Sequence, residues 1–272
     1  MKVVIFCGGQ GLRMRDEGQH TPKPLARIGQ RPIVWHLMSY YARYGHRDFV
    51  LCLGYRAEEI KRYFLDYEET ASNDFVLSRG GRDVTLLGRD ISDWTITFVD
   101  TGLHATIGER LAAVRPHLAG EEVFLANYAD GLSDLPLDRY AADFLARDRV
   151  AAFVSVVPNA SFHFVETDGG GNVVGLRDVR GPDLRINGGY FIFRSAIFEY
   201  LRPGEDLLGG AFGRLIEDKQ LLAYRYDGFW HCLDTFKDRQ VLEDLEARGE
   251  APWRRSRPSP TGGRVMRGLD LR

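Results

Sequence analysis

The residues best suited to chemistry lie within the first twenty-five positions. Lys2-Val3-Val4-Ile5-Phe6-Cys7 is an apolar run that breaks into Gly8-Gly9-Gln10-Gly11-Leu12-Arg13, and Lys23 follows between Pro22 and Pro24. Gly8, Gly9 and Gly11 permit positive φ and let an anion approach bare backbone N–H groups. Arg13 and Lys23 add fixed positive charge. Such a loop suits a nucleoside triphosphate whose α-phosphate reacts, because positioning and charge stabilisation supply the rate there. Taken alone, Gly9-x-Gly11 reads as a tight βα turn. It lacks the third glycine of a dinucleotide fingerprint and the Gly-Lys-Ser/Thr of a P-loop.

The elements needed to hold such a loop are legible. Residues 2–7, 49–53, 95–99, 123–128 and 151–157 read as strands. Helical apolar spacing covers 32–44, 57–66, 107–115 and 136–147. Apolar strands alternating with amphipathic helices predict an α/β fold: a doubly wound, Rossmann-like mixed sheet, mostly parallel and covered on both faces. Ligands then sit outside the carboxyl ends of the strands, where the glycine loop and Asp130 fall. Residues 72–93 read as a polar, strand-poor excursion, a lid or a subunit contact. From about 165 onward short β-like pieces return and suggest a smaller, β-rich acceptor lobe.

Glycine loop, arginine and Pro-Lys-Pro together resemble the signature of the sugar-phosphate nucleotidylyltransferases, Gly-Gly-x-Gly-Thr-Arg-Leu followed by Pro-Lys-Pro. Further stretches resemble the glucose-1-phosphate cytidylyltransferase branch: 32–36, 45–49, 54–56, 60–64, 99–102, 128–131, 186–190, 228–230, 233–235 and 251–253. The likeness runs from residue 1 to about 253. It implies transfer of a nucleotidyl group, CMP from CTP, to a sugar 1-phosphate with release of pyrophosphate. In the family the glycine loop and arginine hold the triphosphate and the lysine contacts its α-phosphate. Asp130 and Asp234 are implied as the pair that holds Mg2+, Asp130 also lying at the nucleotide; read without the resemblance, Asp130 caps a helix and Asp234 closes a turn. Tyr128, Asn187 and Gly188 are implied on the sugar side. Arg110 is implied near the pyrimidine, against the plainer reading of an arginine on a helix surface.

Several positions depart from the pattern. The loop threonine is Leu12. An Arg-Phe-Gly segment reads Ser161-Phe162-His163. The lysine that meets the sugar phosphate is Val179, so Arg180 is expected to take that role, with Arg177 or Arg185 as further cations. Adjacent strand residues point to opposite faces, so Arg180 would need a register shift or bulge. These departures leave open another phosphorylated sugar, a cyclitol phosphate or a phosphonate as acceptor, and the same chemistry with another nucleoside triphosphate is a further alternative. A catalytically silent nucleotide-binding regulator is a further alternative, but a pure binder has no need of a metal pair.

Composition narrows the remaining classes. The chain has 272 residues, 44% hydrophobic and 27% charged, with a formal net charge of −2. That is an ordinary globular balance with no general electrostatic pull toward nucleic acid. Cys7, Cys52 and Cys232 are scattered through apolar runs and read as buried thiols in a reducing compartment. The first residues already look like a core strand, so no signal peptide is expected. With no apolar stretch of membrane-spanning length, a cytoplasmic location is expected. The expected organisation is one domain over 1–253, with a nucleotide part to about 160 and an acceptor lobe from about 161. Residues 254–272 read as a basic, poorly ordered tail, and a homo-oligomer is left open.

Overall fold

The computed structural model describes residues 1–9, 21–159, 163–179 and 184–254. Gly11, Leu12, Arg13, Ser161, Phe162 and Arg180 lie outside the described residues, as does the tail from residue 255. Strand β1 (Val3–Phe6) is followed by a small ribbon of β2 (Arg27–Ile28) and β3 (Arg31–Pro32). Then come α1 (Ile33–Arg43), β4 (Asp48–Leu53), α2 (Ala57–Leu65), a hairpin of β5 (Phe75–Ser78) and β6 (Asp83–Leu86), β7 (Thr95–Asp100) and α3 (Ile107–Ala113). The middle of the chain supplies β8 (Val123–Tyr128), β9 (Gly131–Ser133), α4 (Leu137–Leu145) and β10 (Ala151–Val156). A second hairpin, β11 (His163–Thr167) and β12 (Val173–Asp178), precedes β13 (Ile186–Arg194), α5 (Phe212–Glu217), β14 (Leu221–Arg225), β15 (Trp230–Cys232) and α6 (Phe236–Ala247).

Seven strands form the central sheet in the order β14-β10-β13-β8-β1-β4-β7. Strand β13 runs antiparallel to both neighbours, and every other pairing is parallel. The sheet is covered on both faces. Val3 and Ile5 of β1 pack with residues of α1 and α4, whereas Val4 and Phe6 pack with Leu111 of α3 and with Phe212 and Leu215 of α5. Burial on both sides is why β1, β4 and β8 read as continuous apolar runs rather than alternating ones. From β1 the chain winds one way to β4 and β7, then returns to place β8 on the other side. That change of direction opens a crevice at the carboxyl ends of β1 and β8, where Gly8 and Asp130 stand.

Two expectations are corrected. Residues 72–93 hold the β5–β6 hairpin, with Phe75, Val76, Leu77 and Val84 exposed. A ribbon that buries neither face carries no alternation to betray it. Cys7 and Cys52 are fully buried, but Cys232 is only half-buried; all three thiols are free. Burial pushes the Cys52 thiol up to about 12. Among the described residues no helix is long and apolar enough to cross a membrane.

The end of the described chain is pinned beneath α1. Trp253 is fully buried and its indole N–H donates to Nδ1 of His36 at 3.3 Å. Nδ1 must then accept, so Nε2 carries the proton and donates to the Ile28 carbonyl at 2.9 Å. Burial, aided by Arg254, Arg31 and Arg43 and opposed by the bond to Ile28, lowers the imidazole to about 4. In acid the unfolded imidazole takes up a proton that the folded one refuses. Stability should therefore fall as pH drops from about 6.5 toward 4, by about 1–2 kcal/mol between pH 6.5 and 5. Urea titrations at several pH values check this: His36→Gln should be less stable at pH 7 but should lack this slope. Equal slopes in variant and wild type would exclude His36 as its origin.

Candidate active site

Asp130 and Asp234 are far apart in sequence and are joined by a short antiparallel pairing. Cys232 lies opposite Gly131 and Trp230 opposite Ser133. The Leu233 N–H donates to the Asp130 carbonyl at 2.8 Å, which brings Asp234 beside Asp130. After Asp234 the chain turns into α6 through a capping box. Thr235 Oγ1 accepts from the Asp238 N–H at 3.2 Å, and Asp238 Oδ2 accepts from the Thr235 N–H at 2.8 Å. The cap is thus made by Thr235 and Asp238, while Asp234 turns its carboxylate into the crevice. Asp130 likewise caps no helix, because β9 begins at the next residue.

Lys23 reaches this pair from a 3-10 turn set by its flanking prolines. Its Nζ lies 2.6 Å from Asp130 Oδ2 and 2.7 Å from Asp234 Oδ1, with its side chain 15% exposed. Burial by itself would lower the lysine, but the charge of Asp130 and hydrogen bonds to both carboxylates outweigh it and raise it. The ammonium therefore stays charged at neutral pH. One ammonium touching both aspartates means the two carboxylates converge on a space that a small cation can fill. Hard oxygen donors in that number suit a divalent ion that keeps its other positions for phosphate oxygens and water. Among the described residues no cluster of three or more histidine, cysteine or acidic side chains is placed to hold a metal.

The side expected to meet a nucleotide is built from the loops after β1, β4 and β7. Arg110 is neither on the helix surface nor open to the crevice in any large part, being 3% exposed. Its guanidinium bonds the carbonyls of Gly8, Leu53, Gly102 and Leu103 and the hydroxyl of Thr101. A Cβ on Gly8 would lie 2.0 Å from Arg110 Nη1, so that glycine makes room for an arginine of this same chain. Gly9, by contrast, is exposed, with no described residue close to a Cβ placed on it. Helix α3 delivers Arg110 through a second capping box, in which Thr106 and Glu109 bond each other's backbone N–H groups.

Opposite lies the sugar side named by the sequence. Tyr128 packs edge-on against Phe191 at 5.2 Å, and its ring covers Gly189. Gly189 has φ of 77° and a Cβ there would lie 2.5 Å from the Tyr128 ring, so both conformation and contact demand glycine. Asn187 Oδ1 accepts from the Gly189 N–H at 2.9 Å, and the Trp230 indole donates to the Gly188 carbonyl at 2.8 Å. Burial, with the charges of Asp206 and Asp130, raises the Tyr128 phenol, while the Asn187 amide works the other way.

The cation expected for the acceptor phosphate, Arg180, lies outside the described residues. Val179 is 9% exposed, an apolar side chain in a packed position. Arg177 pairs with Glu166 on the exposed hairpin. Arg185 is tied to Asp227 at 2.7 Å, to the Ser155 hydroxyl at 3.0 Å and to the Tyr226 carbonyl at 2.7 Å. His163 is exposed.

Sequence reasoning missed Cys232, whose thiol donates to Asp234 Oδ2 at 3.4 Å and to Asn159 Oδ1 at 3.7 Å. Burial first, then the Asp234 and Asp130 charges, push that thiol far up, so it stays protonated and serves as a donor. Nothing in the sequence pointed to it. Both capping boxes could have been found, since Thr106-x-x-Glu109 and Thr235-x-x-Asp238 have the required spacing.

Comparison with known proteins finds relatives over nearly the whole chain. The chain is 35% identical over 256 residues to a probable glucose-1-phosphate cytidylyltransferase of Bacillus subtilis (strain 168), covering 93% of this chain and 99% of that protein. It is 31% identical over 260 residues to the glucose-1-phosphate cytidylyltransferase of Salmonella typhi, again covering 93% and 99%. Among solved structures, a putative glucose-1-phosphate thymidylyltransferase from Bacillus anthracis in complex with a sucrose superimposes with a TM-score of 0.64. That alignment covers 90% of this chain and 94% of that one at 14% identity, a likeness of fold. No protein-family model matches the chain.

Proposed function

The chain belongs to the glucose-1-phosphate cytidylyltransferase branch of the sugar-phosphate nucleotidylyltransferases, and from that premise we propose that it transfers CMP from CTP to a sugar 1-phosphate. One observation carries the reading: Lys23, Asp130 and Asp234 converge at the carboxyl ends of the strands, beside the Gly8–Gly9 turn. An acceptor phosphate oxygen attacks the α-phosphorus in line. The new P–O bond forms as the bond to the bridging oxygen breaks, and pyrophosphate leaves with that electron pair. Mg2+ held by Asp130 and Asp234 would neutralise charge on the triphosphate. Lys23 supplies an ammonium where negative charge shifts during displacement, and Arg13 is assigned the same work from the glycine loop. Retention of Lys23 with both aspartates argues against a silent regulator.

The acceptor is where a second reading has support. A buried Val179 cannot meet a phosphate, and Arg177 and Arg185 are already engaged. Either Arg180 takes the phosphate, or the acceptor is another phosphorylated sugar, a cyclitol phosphate or a phosphonate. A matrix of four nucleoside triphosphates against a panel of such acceptors, scored by pyrophosphate, tests both the transfer and its substrates. Absence of pyrophosphate from every combination would leave the silent nucleotide binder.

Four outcomes are expected. Asp130→Asn and Asp234→Asn should each lower turnover on the order of a hundredfold with the fold intact by circular dichroism, since each removes a charged oxygen. Near-wild-type rates at saturating triphosphate and magnesium would refute the pair. Lys23→Ala should lower kcat more than it raises KM for the triphosphate. With the ammonium gone from between the carboxylates, the same variant should bind Mn2+ more tightly than wild type without nucleotide, read by electron paramagnetic resonance; unchanged Mn2+ affinity would detach the aspartates from metal binding. Arg180→Ala should raise acceptor KM strongly and leave triphosphate affinity alone. An unchanged acceptor KM would favour the non-standard acceptor.

A further inference from the structure

Arg110 holds a buried charge in an unusual way. Buried cations are normally paired with an anion, yet none of its hydrogen-bond partners among the described residues is a carboxylate. Nη1 lies 3.0 Å from the Leu53 carbonyl, 2.9 Å from that of Gly102 and 2.7 Å from the Thr101 hydroxyl. Nη2 lies 3.1 Å from the Gly8 carbonyl and 3.4 Å from that of Leu103. Thr101 in turn donates its hydroxyl to the Leu53 carbonyl at 2.7 Å. These oxygens close the carboxyl ends of β1, β4 and β7, three adjacent strands of the sheet. One guanidinium therefore gathers the floor of the nucleotide side.

We propose that Arg110 is a positioning residue for the triphosphate, acting through the Gly8–Gly9 peptide rather than by touching the base. The described residues contain no cis peptide bond, and in a trans peptide the C=O and N–H point in opposite directions. The Gly8 carbonyl points down to Nη2, so the Gly9 N–H points away from it. Gly9 is exposed, and no described residue crowds its Cα. Its N–H is thus presented to the crevice in a fixed direction. A carbonyl bonded to a cation also polarises its amide and makes that N–H a stronger donor. With no carboxylate bonded to it, the guanidinium charge is left to oppose the negative charge of a bound triphosphate. The glycines fit this role: a Cβ on Gly54 would lie 2.8 Å from Nη1, and one on Gly8 would strike it outright. Both strand ends stay bare so that the guanidinium can reach their carbonyls.

The inference rests on a nucleotide bound at Gly8–Gly9 and is independent of the acceptor. Inorganic tripolyphosphate separates it from a base contact, because that probe has phosphates and no base. Titration calorimetry with magnesium should compare tripolyphosphate, CTP and UTP on wild type, Arg110→Met and Arg110→Lys. Arg110→Met should lose about tenfold or more for tripolyphosphate and CTP alike, as expected for a charge-assisted bond, while the CTP-to-UTP affinity ratio stays as in wild type. Arg110→Lys should recover part of the loss. Unchanged tripolyphosphate affinity with a collapsed CTP-to-UTP ratio would overturn the proposal in favour of a base contact. Should Arg110→Met fail to fold, Thr101→Val decides: it removes one acceptor and keeps the charge, so tripolyphosphate should weaken a few-fold, and unchanged binding would overturn the proposal. A wild-type protein that binds neither tripolyphosphate nor any nucleoside triphosphate would overturn the nucleotide reading itself.

Discussion

Two carboxylates held close together repel each other, and the pairing of β9 with β15 forces that proximity on Asp130 and Asp234. The repulsion at about 4 Å is near 1 kcal/mol in water and severalfold larger at the lower effective dielectric of a half-buried crevice. The fold accepts it because three backbone rungs and a capped helix fix both residues from outside the crevice. Lys23 then offsets it, and the three charges still sum to one negative. A residual negative charge there fits the proposed triphosphate only when a further cation completes the site. The order of elements reflects this: β1 and β8 supply the crevice, the Pro-Lys-Pro turn reaches over it, and the last third of the chain returns to close it.

The opposite wall uses the reverse arrangement, a buried positive charge surrounded by carbonyl dipoles. Leu53, Gly102 and Gly8 oxygens are partly negative and stabilise the guanidinium without cancelling it. Burial lowers Arg110 from its ordinary value, with Cys52, Cys7, Asp100 and Glu109 acting in the other direction. An arginine tolerates such a place better than a lysine, because its delocalised charge is weakly hydrated and its donors fan out to several acceptors at once. The net negative group of Asp130, Asp234 and Lys23 and the buried cation of Arg110 together form a pattern complementary to the metal-bound triphosphate proposed above.

Much of the fold was legible because its signals are local. The doubly buried strands β1, β4 and β8 are apolar runs, and helices between them carry periodic spacing. Glycine loop, Pro-Lys-Pro and the aspartate after β8 keep their order along the chain, so they were found together. The pairing of β9 with β15 could not be read: each strand has three residues, too few for a period, and the two lie about a hundred residues apart. The β5–β6 hairpin hid because neither of its faces is buried. Gly8 was visible as a glycine, but its need for one comes from Arg110, which only tertiary structure brings to it. Arg110 itself reads as surface charge in α3 because helix patterns cannot distinguish a buried cation from a solvated one.

Where the family resemblance leads one to expect a lysine for the acceptor phosphate, the chain has Val179, an apolar side chain in a packed position. A lysine at position 179 would have had to cross packed surroundings to reach a phosphate, and valine there gains burial instead, a contribution of about 1.5–3 kcal/mol for a side chain of that size. The neighbouring cations cannot move in cheaply. Arg185 would have to abandon Asp227 together with the Ser155 and Tyr226 oxygens, leaving polar groups unbonded at a cost of about 1–3 kcal/mol each. Arg177 lies on the outer hairpin, held by Glu166. The described part of this lobe thus keeps the sugar-side backbone of Asn187, Gly188 and Gly189 while its cations serve the protein's own carboxylates and carbonyls. Among the described residues of this region, then, no cation is left free of a partner in the protein itself to meet the acceptor phosphate proposed above.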